Sequence, residues 1–146
     1  MKRTEILPPK EEEILCLLWD NNAPMTTMEI AEEMMERGWS RITVFKTIQS
    51  MTENGTIEVT GVTRVSKSYA RLFWPTFTKN EYFSSILHKR GFSYSSFAEL
   101  ATTFFGVKAG EKKSKKIEAA IKEMERIVEE VKREEEKESN PNSKED

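Results

Sequence analysis

The chain has 146 residues, of which 33% are charged and 37% hydrophobic, with a net charge of −2. That is one domain, or one domain with an appendage, and enough apolar material for a modest core but not for a large enzyme cleft. No run approaches the ~20 apolar residues of a membrane span, and the single cysteine, Cys16, excludes an intrachain disulfide. Residues 1–9 show no apolar stretch of the secretory kind, so a reducing cytoplasm is the expected location.

In chain order, Pro8-Pro9 and then Lys10-Glu11-Glu12-Glu13 suit the first turn of a helix, with carboxylates at the positive end of its dipole. Ile14, Leu15 and Leu18 give it an inward face with Trp19 beside them, and Asp20 to Pro24 ends it. Thr26-Thr27-Met28-Glu29 reads as a capping box opening a second helix, with Ile30, Met34 and Met35 as apolar anchors. That helix is expected to stop at Gly38, leaving a tight Arg37-Gly38-Trp39 turn.

Residues 40–54 are predicted to form a third helix, with Ser40 as N-cap and Gly55 as its stop. At 100° per residue, Val44, Phe45, Thr47, Ile48, Met51 and Thr52 share a mostly apolar arc. Ile42, Thr43, Lys46, Gln49, Ser50 and Glu53 share the opposite one, which carries side chains able to reach base edges or phosphates. Two short helices joined by a Gly turn are the helix-turn-helix arrangement, whose second helix enters the major groove.

Beyond Gly55 the period changes. Thr56 to Thr60 alternates, Gly61 is expected to turn the chain, and Ser68 to Trp74 supplies a second strand that Pro75 stops. A hairpin in this place is a wing, with Arg64 and Lys67 in its loop, where they can meet phosphates or a minor groove. The chain is helical again from residue 78. Thr78 to Glu81 and Ser96 to Glu99 both read as capping boxes, leading to stops at Gly91 and Gly106. Residues 110–137 form one long helix with Ile117, Ile121, Met124, Val128 and Val131 spaced 4, 3, 4, 3. Barely two heptads of that spacing suit a bundle seam or a dimer contact better than a free coiled coil. The predicted organisation is a winged-helix domain over 1–77, a helical dimerisation region over 78–138 and a disordered tail over 139–146. The fold class is mainly α with a small β-hairpin.

Charge is segregated along this plan. Residues 1–36 hold three basic and nine acidic side chains, while residues 37–75 hold six basic (Arg37, Arg41, Lys46, Arg64, Lys67, Arg71) and two acidic. Positive charge therefore concentrates on the candidate DNA-reading surface. That surface comprises Ser40, Arg41, Ile42, Thr43, Lys46, Gln49, Ser50, Arg64 and Lys67. For Lys46 and Gln49 the plain alternative is a solvated helix face. For Ile42 and Thr43, contact with thymine methyls stands against packing on the second helix.

These features resemble the penicillinase-repressor family (BlaI, MecI and CopY type). The resemblance is carried by Glu13-Ile14-Leu15 with Trp19, by Thr26-x-x-Glu29, by Trp39-Ser40-x-x-Thr43-Val44 with Ile48, Met51 and Gly55, and by Phe73-Trp74-Pro75 where the family usually has Tyr-x-Pro. It implies a bacterial homodimeric winged-helix repressor on a palindromic operator, dimerising through its C-terminal helices. Ser50 and Asn54 stand where members commonly carry Arg and Lys. Antibiotic-responsive members are released by cleavage at an Asn-Phe bond in the dimerisation region, whereas here Phe104 follows Thr103. The copper-responsive branch carries closely spaced C-terminal cysteines, absent here. Inducer and any sensor or protease partner are left unassigned.

The assembly surface expected from the pattern is the seam Ile117, Ile121, Met124, Val128 and Val131, with an aromatic face of Phe97, Phe104 and Phe105. Met28, Met34 and Met35 read as core rather than thioether ligands. His88 is expected to be structural, Cys16 a small buried hydrophobe, and Lys112-Lys113-Ser114-Lys115-Lys116 a solvated helix face. No metal, cofactor or catalytic constellation is predicted, since one histidine and one distant cysteine offer no nucleophilic dyad and no Gly-rich phosphate loop exists. The alternative function is a winged helix used for protein contact, whose long C-terminal helix docks a partner.

Overall fold

A computed structural model describes residues 5–106 and 114–139. The chain divides into two compact units between Phe92 and Ser93. The start of the long helix at 110–113, with Lys112 and Lys113, and the tail from 140 onward lie outside the described residues.

The first unit is a winged helix. Helix α1 (Pro9–Asn21) starts with Pro at its first position, carries Glu11 and Glu12 in its first turn, and ends where Asn22 turns left-handed. Strand β1 is only Met25–Thr26, and helix α2 (Thr27–Glu36) follows, its N-cap Thr26 accepting a bond from the Glu29 N–H. Helix α3 (Arg41–Glu53) is capped by Ser40, which accepts from the Thr43 N–H. Strands β2 (Ile57–Val65) and β3 (Ser68–Pro75) form the wing, and β1 pairs antiparallel on the outer edge of β3 to give the order β1-β3-β2. Two residues cannot display a period of two, so β1 left no mark in the sequence pattern.

The helical spacings bury one continuous core. Ile14, Leu15, Leu18, Ile30, Met34, Val44, Met51 and Ile57 are all buried, and Phe73 closes the core from the sheet. Met34 belongs to it, but Met28 and Met35 do not: both stay nearly half exposed. The buried stripe of α2 is Ile30, Ala31 and Met34, so Ala31 fills the place expected for the longer Met35.

Helix α4 (Lys79–Lys89) opens with a reciprocal capping box between Thr78 and Glu81. It belongs to the first unit, so the boundary expected after residue 77 falls inside that unit. Tyr82 explains why. Its ring is fully buried, stacked on Phe77 with centroids 5.6 Å apart and edge-on to Phe83 at 5.2 Å. Its hydroxyl donates to Glu12 of α1 at 2.8 Å and accepts from the Leu7 N–H at 3.2 Å. Burial, reinforced by the Glu12 carboxylate and opposed by the Leu7 N–H, pushes the phenol up to about 12.

An unfolded tyrosine ionises near pH ~10, so this contact stabilises the fold fully below that pH. Its contribution is lost as pH rises through the folded value of about 12. Replacing Tyr82 with Phe is expected to cost about 1–3 kcal/mol at neutral pH, because the Glu12 carboxylate and Leu7 N–H lose their shared partner. The same variant should flatten the alkaline fall in stability across that window. Urea titrations of both proteins at a series of alkaline pH values check it; parallel curves would contradict the assignment.

The second unit holds helices α5 (Tyr94–Phe105) and α6 (Lys115–Ser139). The expected capping box at Ser96 is displaced by one turn: Ser93 is the cap, accepting from the Ser96 N–H at 3.3 Å, and the helix starts at Tyr94. Gly106, left-handed at φ 63°, ends it as expected. Ser114 caps α6 by accepting from the Ile117 N–H. Neither helix has a buried residue. Within the unit, Ala98, Ala101, Phe105, Ile121, Met124 and Val128 line an open groove of about 620 Å³.

Candidate nucleic-acid interface

Helix α3 is fixed from behind and bare in front. Val44, Ile48 and Met51 enter the core, while Arg41, Ile42, Lys46, Gln49 and Ser50 are exposed. Thr47 and Thr52 bond back to the carbonyls of Thr43 and Ile48, which keeps their hydroxyls on the helix. The turn before α3 is held by Gly38 at φ 93° and by Trp39, which packs against the core. An L side chain is strained at such a φ, so this sharp turn favours glycine. Arg37 is tied back to Glu13 of α1 at 3.5 Å, so one of the six cations in 37–75 is directed toward α1.

Each exposed residue has a defined local state. Ser40 is occupied as the cap, with its hydroxyl 2.7 Å from that of Thr43, itself half-buried. Gln49 donates one amide N–H to Glu53 at 3.2 Å, and Ser50 lies 3.5 Å from the Asn54 amide nitrogen. Ile42 is 67% exposed, which removes the packing alternative for it. Phe45 is only partly covered, and the Arg41 guanidinium lies 5.5 Å from its ring centroid.

The wing differs from expectation in where it turns. Gly61 lies inside β2, at an irregularity where the register passes from Val59↔Phe73 to Gly61↔Leu72 and Thr60 is left over as a bulge. The reversal comes at Ser66-Lys67, with Ser66 left-handed at φ 56°. Arg64 is therefore a strand residue paired with Tyr69, and only Lys67 sits in the tip. Strand alternation puts Val62, Arg64, Tyr69 and Arg71 on one wing face. Tyr69 is 72% exposed and the Arg71 guanidinium lies over Phe73. Neither was singled out from sequence, although their i, i+2 spacing in β3 carried the signal.

Burial pushes the Cys16 thiol up, with Glu12 and Asp20 adding to it, so thiolate chemistry is disfavoured there. Among the described residues no group of three or more His, Cys, Asp or Glu could hold a metal ion, and no helix is long and apolar enough to cross a membrane.

The family model described as the penicillinase repressor matches residues 7–130. The chain belongs to the penicillinase-repressor family. It is accordingly a DNA-binding transcriptional regulator and not an enzyme. The match extends beyond the winged helix into α6 (Lys115–Ser139), where the sequence alone offered only a helical pattern. No curated protein matches the chain. Among solved structures it is similar to the adhesin competence repressor AdcR of Streptococcus pyogenes, at 17% identity and a TM-score of 0.37, over 86% of this chain and 80% of that one. It is also similar to a mutant of ZitR from Lactococcus lactis, at 17% identity and a TM-score of 0.39, over 90% and 80% of the respective chains.

As a penicillinase-repressor-type regulator the protein presents two candidate surfaces, α3 and the wing. They make different predictions. Arg64, on β2 beside the wing tip, and Lys67, in the tip, are exposed cations, and a phosphate role for them has a distinct signature. Removing either is expected to weaken binding to all duplexes alike and to flatten the log–log salt slope by roughly one unit per lost contact. Titrations across a salt series check this. An altered sequence preference at unchanged slope would move these residues to base readout.

Proposed function

We propose that the protein is a homodimeric repressor that acts in the cytoplasm and binds a palindromic operator, laying the exposed face of α3 in the major groove of each half-site. The wing, through Arg64 and Lys67, contacts the flanking backbone. The observation that carries the dimer is the amount of apolar surface left open on the second unit. Phe97, Phe104, Ile127, Val128 and Val131 are all at least 46% exposed, and the groove lined by Phe105, Ile121 and Met124 lies open beside them. A contiguous apolar face of this kind is rarely left to water by a soluble monomer. α6 supplies 25 residues, about 37 Å of helix, along which a second copy can pack.

The charge distribution supports two-site binding. Residues 37–75 carry six basic and two acidic side chains, an excess of only four, with Arg37 already paired. One copy would bind random DNA weakly, whereas two held about one helical turn (~34 Å) apart would read a palindrome.

The test is binding of the full-length chain to random duplex DNA over a salt series, followed by footprinting on the DNA upstream of its own gene. A steep loss of affinity with salt and a two-fold-symmetric footprint are expected. No DNA binding at any salt would leave the winged helix as a protein-contact module.

A further inference from the structure

Arg41 is the first residue of α3, and two neighbours hold its guanidinium on the exposed side. One Nη donates to the Met28 sulfur, 3.2 Å away on α2, and the group lies 5.5 Å from the Phe45 ring centroid, one turn along α3. Met28 is 45% exposed and Phe45 36%, far more than the core residues beside them. Neither is where packing alone would put it: Met28, expected in the core, lies outside it, and Phe45, on the apolar arc of α3, stays partly exposed.

A thioether is a weak acceptor and takes one of five guanidinium N–H groups, so most of the fork is left for another acceptor. An aromatic ring beneath the guanidinium restricts the side chain without consuming a donor. A phosphate contact needs only a flexible charge, which Lys provides as well. A bidentate contact to the O6 and N7 of guanine needs a planar fork held in place, and the first residues of a reading helix are the ones that meet base edges.

We propose that Arg41 reads a guanine in each operator half-site, and that Met28 and Phe45 are positioning residues that hold its guanidinium for that contact. This rests on the DNA-binding reading of α3 given above. It gives the protein a base preference set partly from α2, by a methionine that acts through Arg41.

The experiment selects duplexes from a random library with the full-length protein and then replaces each guanine of the selected duplex, one at a time, with 7-deazaguanine, which lacks the N7 acceptor. One guanine per half-site is expected to show about a tenfold loss for the wild type. The same replacement should cost the Arg41→Ala variant nothing further. Arg41→Lys should keep the salt slope yet lose the preference for that guanine. Met28→Ala should lower the preference while leaving affinity for random duplex and the thermal midpoint unchanged, with Met28→Leu recovering it only in part. Phe45→Leu should act in the same direction.

An Arg41→Ala variant that selects the wild-type sequence and flattens the salt slope by about one unit would make Arg41 a phosphate contact and overturn the proposal. An unchanged guanine preference in Met28→Ala would overturn the positioning role. A wild type that enriches a sequence in which every guanine tolerates the 7-deaza replacement overturns this inference alone, whereas one that enriches no sequence, or binds no duplex, overturns the proposed function with it.

Discussion

Replacing both Ile121 and Val128 with Lys is expected to convert the protein from dimer to monomer and to abolish operator binding at nanomolar concentration. Both side chains line the groove of the second unit, and Val128 is half exposed on α6. At a two-fold contact each substitution appears twice, so four ammonium groups would be brought into an apolar seam. Leaving such charges desolvated and unpaired costs several kcal/mol each, more than a modest helical interface supplies. The helix itself should survive, since Lys has a higher helix propensity than either β-branched residue. The adjacent Arg126, paired with Glu123 and Glu130, continues to brace the polar face. Sedimentation should show monomers with unchanged helical circular dichroism and a loss of two-site binding. A variant that stays dimeric, or a wild type that is monomeric at micromolar concentration, would sink the seam.

That seam also shows what periodicity can and cannot deliver. The 4, 3, 4, 3 spacing of Ile117 to Val131 located the apolar face of α6, but its strict two-position pattern missed Ile127, which is 46% exposed beside it. In the first unit the caps were the surest signals: Ser40, Thr26 and Thr78 each accept the backbone N–H three residues on. These are local bonds, decided by residue type at one position. The wing turn and the boundary of the first unit depended on partners distant in sequence. Gly61 looked like a turn because glycine usually marks one, yet the bulge at Thr60 lets β2 run on to Val65. Helix α4 joins the winged helix through a Tyr82–Glu12 bond spanning 70 residues, which no local pattern contains. At the candidate interface the exposed arc of α3 was legible from its angles alone. The Met28–Arg41 contact was not, since it depends on how α2 and α3 cross.

The other large effect is expected on α3 itself. Lys46 and Gln49 lie three residues apart, and both are exposed on the face opposite Val44, Ile48 and Met51. Changing both to Ala removes no buried atom. It costs the exposed Gln49–Glu53 hydrogen bond, an i, i+4 pair of ~0.2–0.5 kcal/mol, which the better helix propensity of Ala offsets. The thermal midpoint should therefore hold. Operator binding should not, because each lost base contact weakens specific binding by on the order of 1–3 kcal/mol. Two such contacts in each of two half-sites multiply that loss in the dimer. Specific binding should fall toward the level of random duplex, while the residual salt dependence supplied by Arg64 and Lys67 remains. Gln49→Ala alone should leave the salt slope untouched, and any change of slope in the double variant then belongs to Lys46. Measuring affinity for operator and random duplex across a salt series, beside the thermal midpoint, separates these outcomes. A double variant that binds operator like the wild type would remove Lys46 and Gln49 as readers and leave Arg41 as the remaining long cation on the exposed face of α3.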